Sequence, residues 1–314
     1  MLILDATQTA SRLPFEKLID AIAKMFIDGC TVPLRHNHSI ECGPDEEPGT
    51  LLLMPAWQKG GRIGIKTVSI FPANRRRSLP GLHSTFVLLD ATTGAPLSML
   101  DGDGITSRRT AAASALAARF LSRPDSASLL VVGAGRVASL IPDAYAAVRP
   151  IRKITVWDID ASGAQRMVDN LNARGFAAEL AEDLERAAGQ ADIVSCATLS
   201  TAPIIKGAWL RPGTHLDLIG GFTPTMRESD DDCFIGTSVF VDTEEALMKA
   251  GDLLSPIQSG AFDKAMTRAT LSQLCRGEHP GRQQRDEVTV FKAVGTALED
   301  LAAASLAYDA SPDA

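Results

Sequence analysis

The chain has 314 residues, 45% hydrophobic and 22% charged, with a formal net charge of −7. That length exceeds what a single hydrophobic core usually organises, so two domains are expected, and the composition is that of a globular protein. An acidic chain without a long basic stretch repels polyanions, which excludes nucleic acid and anionic membrane surfaces as natural partners.

In chain order, PFEKLIDAIAKMFIDG sets Phe15, Leu18, Ile19, Ile22 and Phe26 at helical spacing before Gly29, which predicts a helix with a glycine stop. His36 and His38 in RHNHS could share one face of a strand. No third ligand stands at a recognisable spacing, so a surface strand is expected and no metal. The segments GTLLLMPAW, GRIGIKTVSIF and HSTFVLLDATTGAPLSMLDG are rich in β-formers and punctuated by Gly and Pro, predicting a meander or mixed sheet. Between them Arg75, Arg76 and Arg77 read as a solvated turn. A helix follows in TSRRTAAASALAARFL, with Thr106 or Ser107 as its N-cap, and SRPDSAS marks a domain boundary after residue 122.

Beyond Ser128 the pattern changes to short apolar runs, LLVVGAG, KITVWDID, GFAAEL, ADIVSCAT, THLDLIGG and SVFVDT, most of them separated by helical stretches. This predicts an α/β domain with a doubly wound parallel sheet. The closing stretch VTVFKAVGTALEDLAAASLAY reads as one long amphipathic helix that returns to the first domain, and DASPDA as a fraying end. The expected division is therefore 1–122 with 288–314, and 123–287. Cys30, Cys42, Cys196, Cys233 and Cys275 form no CxxC pair and are odd in number, which suits reduced thiols in a cytoplasm. The first residues lack the basic region of a signal peptide, and no run approaches the ~20 apolar residues of a membrane span.

Gly133, Gly135 and Ala138 form G-x-G-x-x-A directly after an apolar strand and before a helix. In that context the first glycine permits the tight turn, the second admits a pyrophosphate against the backbone, and the small third residue lets helix and strand pack closely. Asp158 ends the strand KITVW, 25 residues beyond Gly133, where a carboxylate can bind adenosine ribose hydroxyls and repel a 2′-phosphate. NAD(H) is thus expected over NADP(H), which stays the alternative. Asp160 fits better as the cap of the next helix. In DGDGITSRRTAAAS, Arg108 and Arg109 fall near a helix start, where an anion would offset the unfavourable macrodipole; either could clamp a carboxylate while the other faces solvent or pairs with Asp101 or Asp103. Lys66 interrupts an apolar strand and either snorkels at an edge or serves a site.

Taken together, VPLRHN, MPAW, GIKTVSIFP, LDGDGITSRRTAAASALAAR, VVGAGRVAS, THLDLIGG and DEVTVFKAVGTALEDLAAA resemble the ornithine cyclodeaminase and mu-crystallin family over nearly the whole chain. The resemblance implies a substrate-binding and dimerisation domain of α+β type joined to a Rossmann domain, and a homodimer. It puts Arg35, Lys66 and Arg109 around a substrate carboxylate and the reacting carbon, with Lys66 and Arg109 as the catalytic pair. It assigns Ser84, Arg109, Gly133, Gly135, Ala138, Asp158 and Thr198 to the cofactor. The family's RTAAA motif also selects Arg109 over Arg108.

One stretch departs from the pattern. In cyclodeaminases the two glycines of this strand end are followed by an aspartate that handles the proton of the substrate amine, and a lysine follows four positions later. Here LIGGFTPTMRE supplies Phe222 and Met226, neither of which transfers a proton. GGFTPTMRE looks instead like the branch that reduces the cyclic ketimines Δ1-pyrroline-2-carboxylate and Δ1-piperideine-2-carboxylate to L-proline and L-pipecolate, with Phe222 lining the substrate. An ornithine cyclodeaminase, an alanine-type amino-acid dehydrogenase and a non-catalytic crystallin-like binder are the alternatives.

Overall fold

The computed structural model describes residues 1–43 and 46–310; the last four residues of the expected fraying end lie outside the described residues. Two compact units are present, Met1–Arg109 with Thr296–Ala314, and Thr110–Gly295.

The first unit opens with β1 (Leu2–Leu4), α1 (Ala6–Ser11) and α2 (Phe15–Asp28). Leu18, Ile19 and Ile22 of α2 are fully buried, and Gly29 ends the helix at φ 75°, a conformation that suits glycine. Then come β2 (His36–Ile40), β3 (Gly49–Trp57), β4 (Arg62–Ile70), β5 (Leu82–Asp90) and β6 (Pro96–Asp101). They pair antiparallel in sequence, while β1 joins the edge parallel to β6, giving the order β1-β6-β5-β4-β3-β2. The mixed sheet expected from the strand spacing is therefore present. His36 and His38 lie on β2, whose five residues are all exposed. Arg75, Arg76 and Arg77 end a short 3-10 turn and pair with Glu46 and Glu47 on the surface.

The helix α3 (Gly102–Leu121) starts four residues before the expected N-cap. Asp101 Oδ1 accepts from the Gly104 amide at 2.6 Å and so serves the first turn, while Thr106 and Ser107 donate back to the carbonyls of Gly102 and Asp103. Arg108 and Arg109 thus lie in the second turn. The division between units falls at Arg109, inside α3, rather than after residue 122. The helix continues through the SRR-TAAA junction without a break, so the Pro-containing stretch at 122–128 marks only its end.

The second unit contains β7 (Ser128–Val132), α4 (Ile141–Ala146), β8 (Lys153–Trp157), α5 (Ala161–Ala173), β9 (Ala178–Leu180), α6 (Leu184–Gln190), β10 (Ile193–Cys196) and β11 (His215–Leu218). After them come β12 (Ser238–Val241), α7 (Ala246–Lys249), α8 (Gly251–Ser259), β13 (Ala269–Thr270), α9 (Leu271–Cys275) and β14 (Thr289–Lys292). All eight strands are parallel, in the order β13-β12-β14-β11-β10-β7-β8-β9. The chain winds outward from β7 through β9, then returns to β10 on the other side of β7, which creates a topological switch point at the carboxyl ends of β7 and β10. This is the Rossmann-type α/β fold expected.

The last element corrects the sequence reading. Residues 289–292 form β14, between β11 and β12, and the helix α10 (Ala297–Asp309) begins only after Gly295. Thr289, Val290 and Phe291 had continued a helical spacing by coincidence; with Lys292 they are buried in the sheet. The second unit accordingly extends to Gly295 rather than 287. Nor is α10 amphipathic: it is buried from Ala297 to Ala304, packed on α2 and the sheet of its own unit.

Candidate functional site

In the first unit, strand alternation turns Gly64, Lys66 and Val68 of β4 toward the buried face of the sheet, so Lys66 is not a snorkelling edge residue. It is 2% exposed, and its Nζ lies 2.6 Å from Asp300 Oδ2 and 3.3 Å from Thr106 Oγ1. Arg109, on α3, donates from Nε to Asp300 Oδ1 at 2.8 Å and from Nη1 to Glu299 Oε2 at 2.6 Å. Asp300 thereby bridges the two cations, one on each oxygen, from the first turn of α10. Burial lowers the Lys66 ammonium below the usual lysine range, with Asp300 opposing this. For Arg109 burial works against the charge, but Asp300 and Glu299 more than offset it. Burial would raise Asp300; Arg109 and Lys66 outweigh it and keep the group ionised.

Two cations and two carboxylates balance. The donors left over are one Lys66 N–H and Arg109 Nη2, on two cations that share Asp300, a pattern that suits a ligand carboxylate. Ser84, which pairs in register with Val68, donates to Asp103 Oδ1 at 2.6 Å at the start of α3. Arg35 is exposed and immediately precedes β2; extending the register by one residue sets it across Met54, which pairs with Lys66. Arg108 donates to the Leu13 carbonyl and covers the Phe15 ring at 4.5 Å, while Arg109 is 6% exposed.

In the second unit, Gly133 ends β7 at φ 113°, and a Cβ there would come 2.7 Å from the Ala197 carbonyl oxygen. No other residue fits. A Cβ on Gly135 would meet nothing within 4 Å, so the turn is open on that side. Ala138 is fully buried where the following helical segment starts. Asp158 accepts from the Ala134 amide at 2.7 Å and from the Asp160 amide at 2.8 Å, which fixes its carboxylate beside the glycine turn. Asp160 caps α5, as expected. These features fit a dinucleotide: a narrow turn, an open side at Gly135 and an anchored carboxylate at the switch point.

Thr198 lies just past β10, and both its amide and its hydroxyl donate to Glu228. Phe222 is 44% exposed, so it is not a core residue, whereas Met226 is buried. Glu228, Asp252 and Lys292 are fully buried nearby in the same unit. Burial pushes the Glu228 carboxyl up to about 7, with Lys292 opposing and Asp252 adding to the rise. Among the described residues no group of three His, Cys, Asp or Glu side chains is arranged to hold a metal, and no helix is long and apolar enough to cross a membrane. The sequence reading missed Glu299, Asp300, Glu228 and Asp252. Glu299 and Asp300 were visible as two acids in an otherwise apolar Ala-Leu helix; the other two carried no such signal.

The profile of the ornithine cyclodeaminase/mu-crystallin family matches residues 2–313. The chain belongs to this family. The Δ1-pyrroline-2-carboxylate reductase of Paracoccus denitrificans is 40% identical over 305 residues, covering 96% of this chain and 93% of that one. The structure of Thermococcus litoralis Δ1-pyrroline-2-carboxylate reductase in complex with NADH and L-proline is 32% identical, with a TM-score of 0.90 over 98% of this chain and 97% of that one. An archaeal alanine dehydrogenase dimer with bound NAD is 27% identical, with a TM-score of 0.88 over 98% and 95%.

Proposed function

We propose that the chain is an NAD(H)-dependent cyclic ketimine reductase. Its substrates would be Δ1-pyrroline-2-carboxylate and the six-membered Δ1-piperideine-2-carboxylate, and its products L-proline and L-pipecolate. The observation that carries this reading is a carboxylate-binding cation pair, Lys66 with Arg109, in a chain whose residue 222 is an exposed phenyl ring instead of an acid. Removal of an amine needs a proton-transferring group at that place; reduction of a preformed C=N bond does not.

The reduced dinucleotide, when bound, supplies the hydride. The Arg109 Nη2 and Lys66 N–H donors hold the substrate carboxylate, and Arg35 adds charge from the sheet edge. Lys66, with its ammonium made more acidic by burial, delivers the proton that turns the imine into the more electrophilic iminium. Asp300 then stabilises what remains, because it keeps Arg109 as a partner. Phe222 offers an apolar wall to the aliphatic ring. Asp158 favours NAD(H) by repelling a 2′-phosphate.

The chain is further proposed to act as a cytoplasmic homodimer. The sheet face turned away from α2 and α10 carries Ile3, Trp57, Ile63, Ile65, Val87 and Met99; Ile3 is 65% exposed, and Trp57 and Met99 are 37% exposed. An apolar sheet face of this kind is a surface that a second copy would cover. Turnover tests the reading: NADH oxidation on addition of either imine supports it, and no oxidation above background with both imines overturns it.

A further inference from the structure

We propose that Glu228 is a positioning residue that locks the Thr198 segment to the Gly220–Phe222 turn, and so sets the second unit's edge for the nicotinamide end of the dinucleotide. The inference rests on the reductase reading for its ligand. Its geometry is independent of it. Oε1 accepts from the Thr198 amide at 2.6 Å and the Thr198 hydroxyl at 2.9 Å, while Oε2 accepts from the Gly220 amide at 2.6 Å. Those three donors belong to the loops that leave β10 and β11, adjacent strands of the sheet. Two donors converge on one oxygen and the third on the other, so a single carboxyl spans both loops.

The backbone of Glu228 is itself held. Asp252 Oδ1 accepts from the Glu228 amide at 2.8 Å and the Ser229 amide at 3.1 Å, and Asp252 Oδ2 pairs with Lys292 Nζ at 3.0 Å, at the end of β14. The two glycines of LIGGFTPTMRE exist for these carboxylates. A Cβ on Gly220 would stand 2.0 Å from the Thr198 carbonyl oxygen and 2.4 Å from Glu228 Oε1, and one on Gly221 would stand 2.1 Å from Asp252 Oδ2. Phe222 in turn donates its amide to the Gly220 carbonyl at 2.6 Å, so pinning Gly220 fixes where the ring leaves the chain. On the other side Thr198 abuts the glycine turn, since a Cβ on Gly133 would lie 3.3 Å from its methyl group. One buried carboxylate therefore controls a predicted cofactor contact and a predicted substrate contact.

Glu228→Gln is the discriminating variant. It keeps the shape but presents an NH2 group to either the Thr198 or the Gly220 amide, a donor against a donor. NADH affinity is read by fluorescence on the full-length protein without imine, beside a thermal melt and the imine KM at saturating NADH. The expected result is NADH binding weakened about tenfold or more, from a buried polar group left unpaired, with the imine KM raised as the Phe222 ring loses its fixed place and an intermediate loss of both in Glu228→Asp. A folded Glu228→Gln protein with wild-type NADH affinity and kcat overturns the inference. Should that variant not fold, Glu228→Asp decides, and wild-type NADH affinity in it is likewise contrary. If wild-type protein binds NADH but reduces no imine, the reductase reading fails while the affinity comparison still judges Glu228.

Discussion

Replacing Lys66 by Met removes one cation from a buried set of two cations and two carboxylates and leaves a net negative charge away from water. Breaking a buried pair by deleting one partner costs about 3–5 kcal/mol. Arg109 stays 2.8 Å from Asp300, so the lower end applies. At ~3 kcal/mol the melting temperature should fall by roughly 5 °C. Activity should fall further, by about a hundredfold or more in kcat/KM, because a charged contact to the substrate carboxylate and the proton donor are lost together. Adding Asp300→Leu restores neutrality, with Arg109 facing Glu299 at 2.6 Å. The double variant should recover most of the melting temperature and none of the activity, since replacing both partners of a buried pair by apolar groups is nearly neutral. Differential scanning calorimetry and steady-state NADH oxidation read the two effects. A Lys66→Met enzyme within about threefold of wild-type kcat/KM would refute the assignment, as would a double variant whose activity returns with its stability.

Asp158→Ser should weaken NADH and improve NADPH, narrowing the ratio of their kcat/KM values by about tenfold or more; an unchanged ratio removes Asp158 from the ribose. Phe222→Asp should lower imine reduction by placing a charge against an aliphatic ring, and ornithine is then the substrate on which to look for proline formation; unimpaired imine reduction places Phe222 outside the site. His215 is fully buried, and burial followed by Arg282 and Arg149 holds its imidazole down to about 3 against an ordinary 6.5. Its folded pKa lies below its unfolded one, so the unfolded chain takes up the proton, and stability present above pH 6.5 is lost as pH falls toward 3. At pH 4.5 this amounts to about 3 kcal/mol. Urea midpoints for wild type and His215→Asn at pH 7 and 4.5 should show the variant losing less on acidification; parallel losses would contradict the assignment.

The mixed sheet and the parallel α/β fold were legible in the sequence because glycine spacing and strand length are local signals; the helix start left Arg108 and Arg109 open, and only the family resemblance chose between them. The partners of the site were not legible. Asp300 is far from Lys66 along the chain, and only the packing of α10 onto β4 turns it toward both cations. Glu228 and Lys292 are likewise joined through Asp252 by tertiary contact alone. The β14 segment TVFK was misread because so short a run fits a helical and an extended pattern equally well. Nothing in LIGGFTPTMRE itself announces that its glycine pair makes room for the Thr198 carbonyl and for two buried carboxylates, Glu228 and Asp252.

The most direct test is a coupled assay of the purified protein with Δ1-pyrroline-2-carboxylate and Δ1-piperideine-2-carboxylate against NADH and NADPH, with the product identified as the L-amino acid. The account predicts NADH-dependent formation of L-proline or L-pipecolate, and the loss of that activity in Arg109→Ala. Inertness toward both imines, with ammonia-dependent reduction of pyruvate or conversion of ornithine to proline in their place, would contradict it.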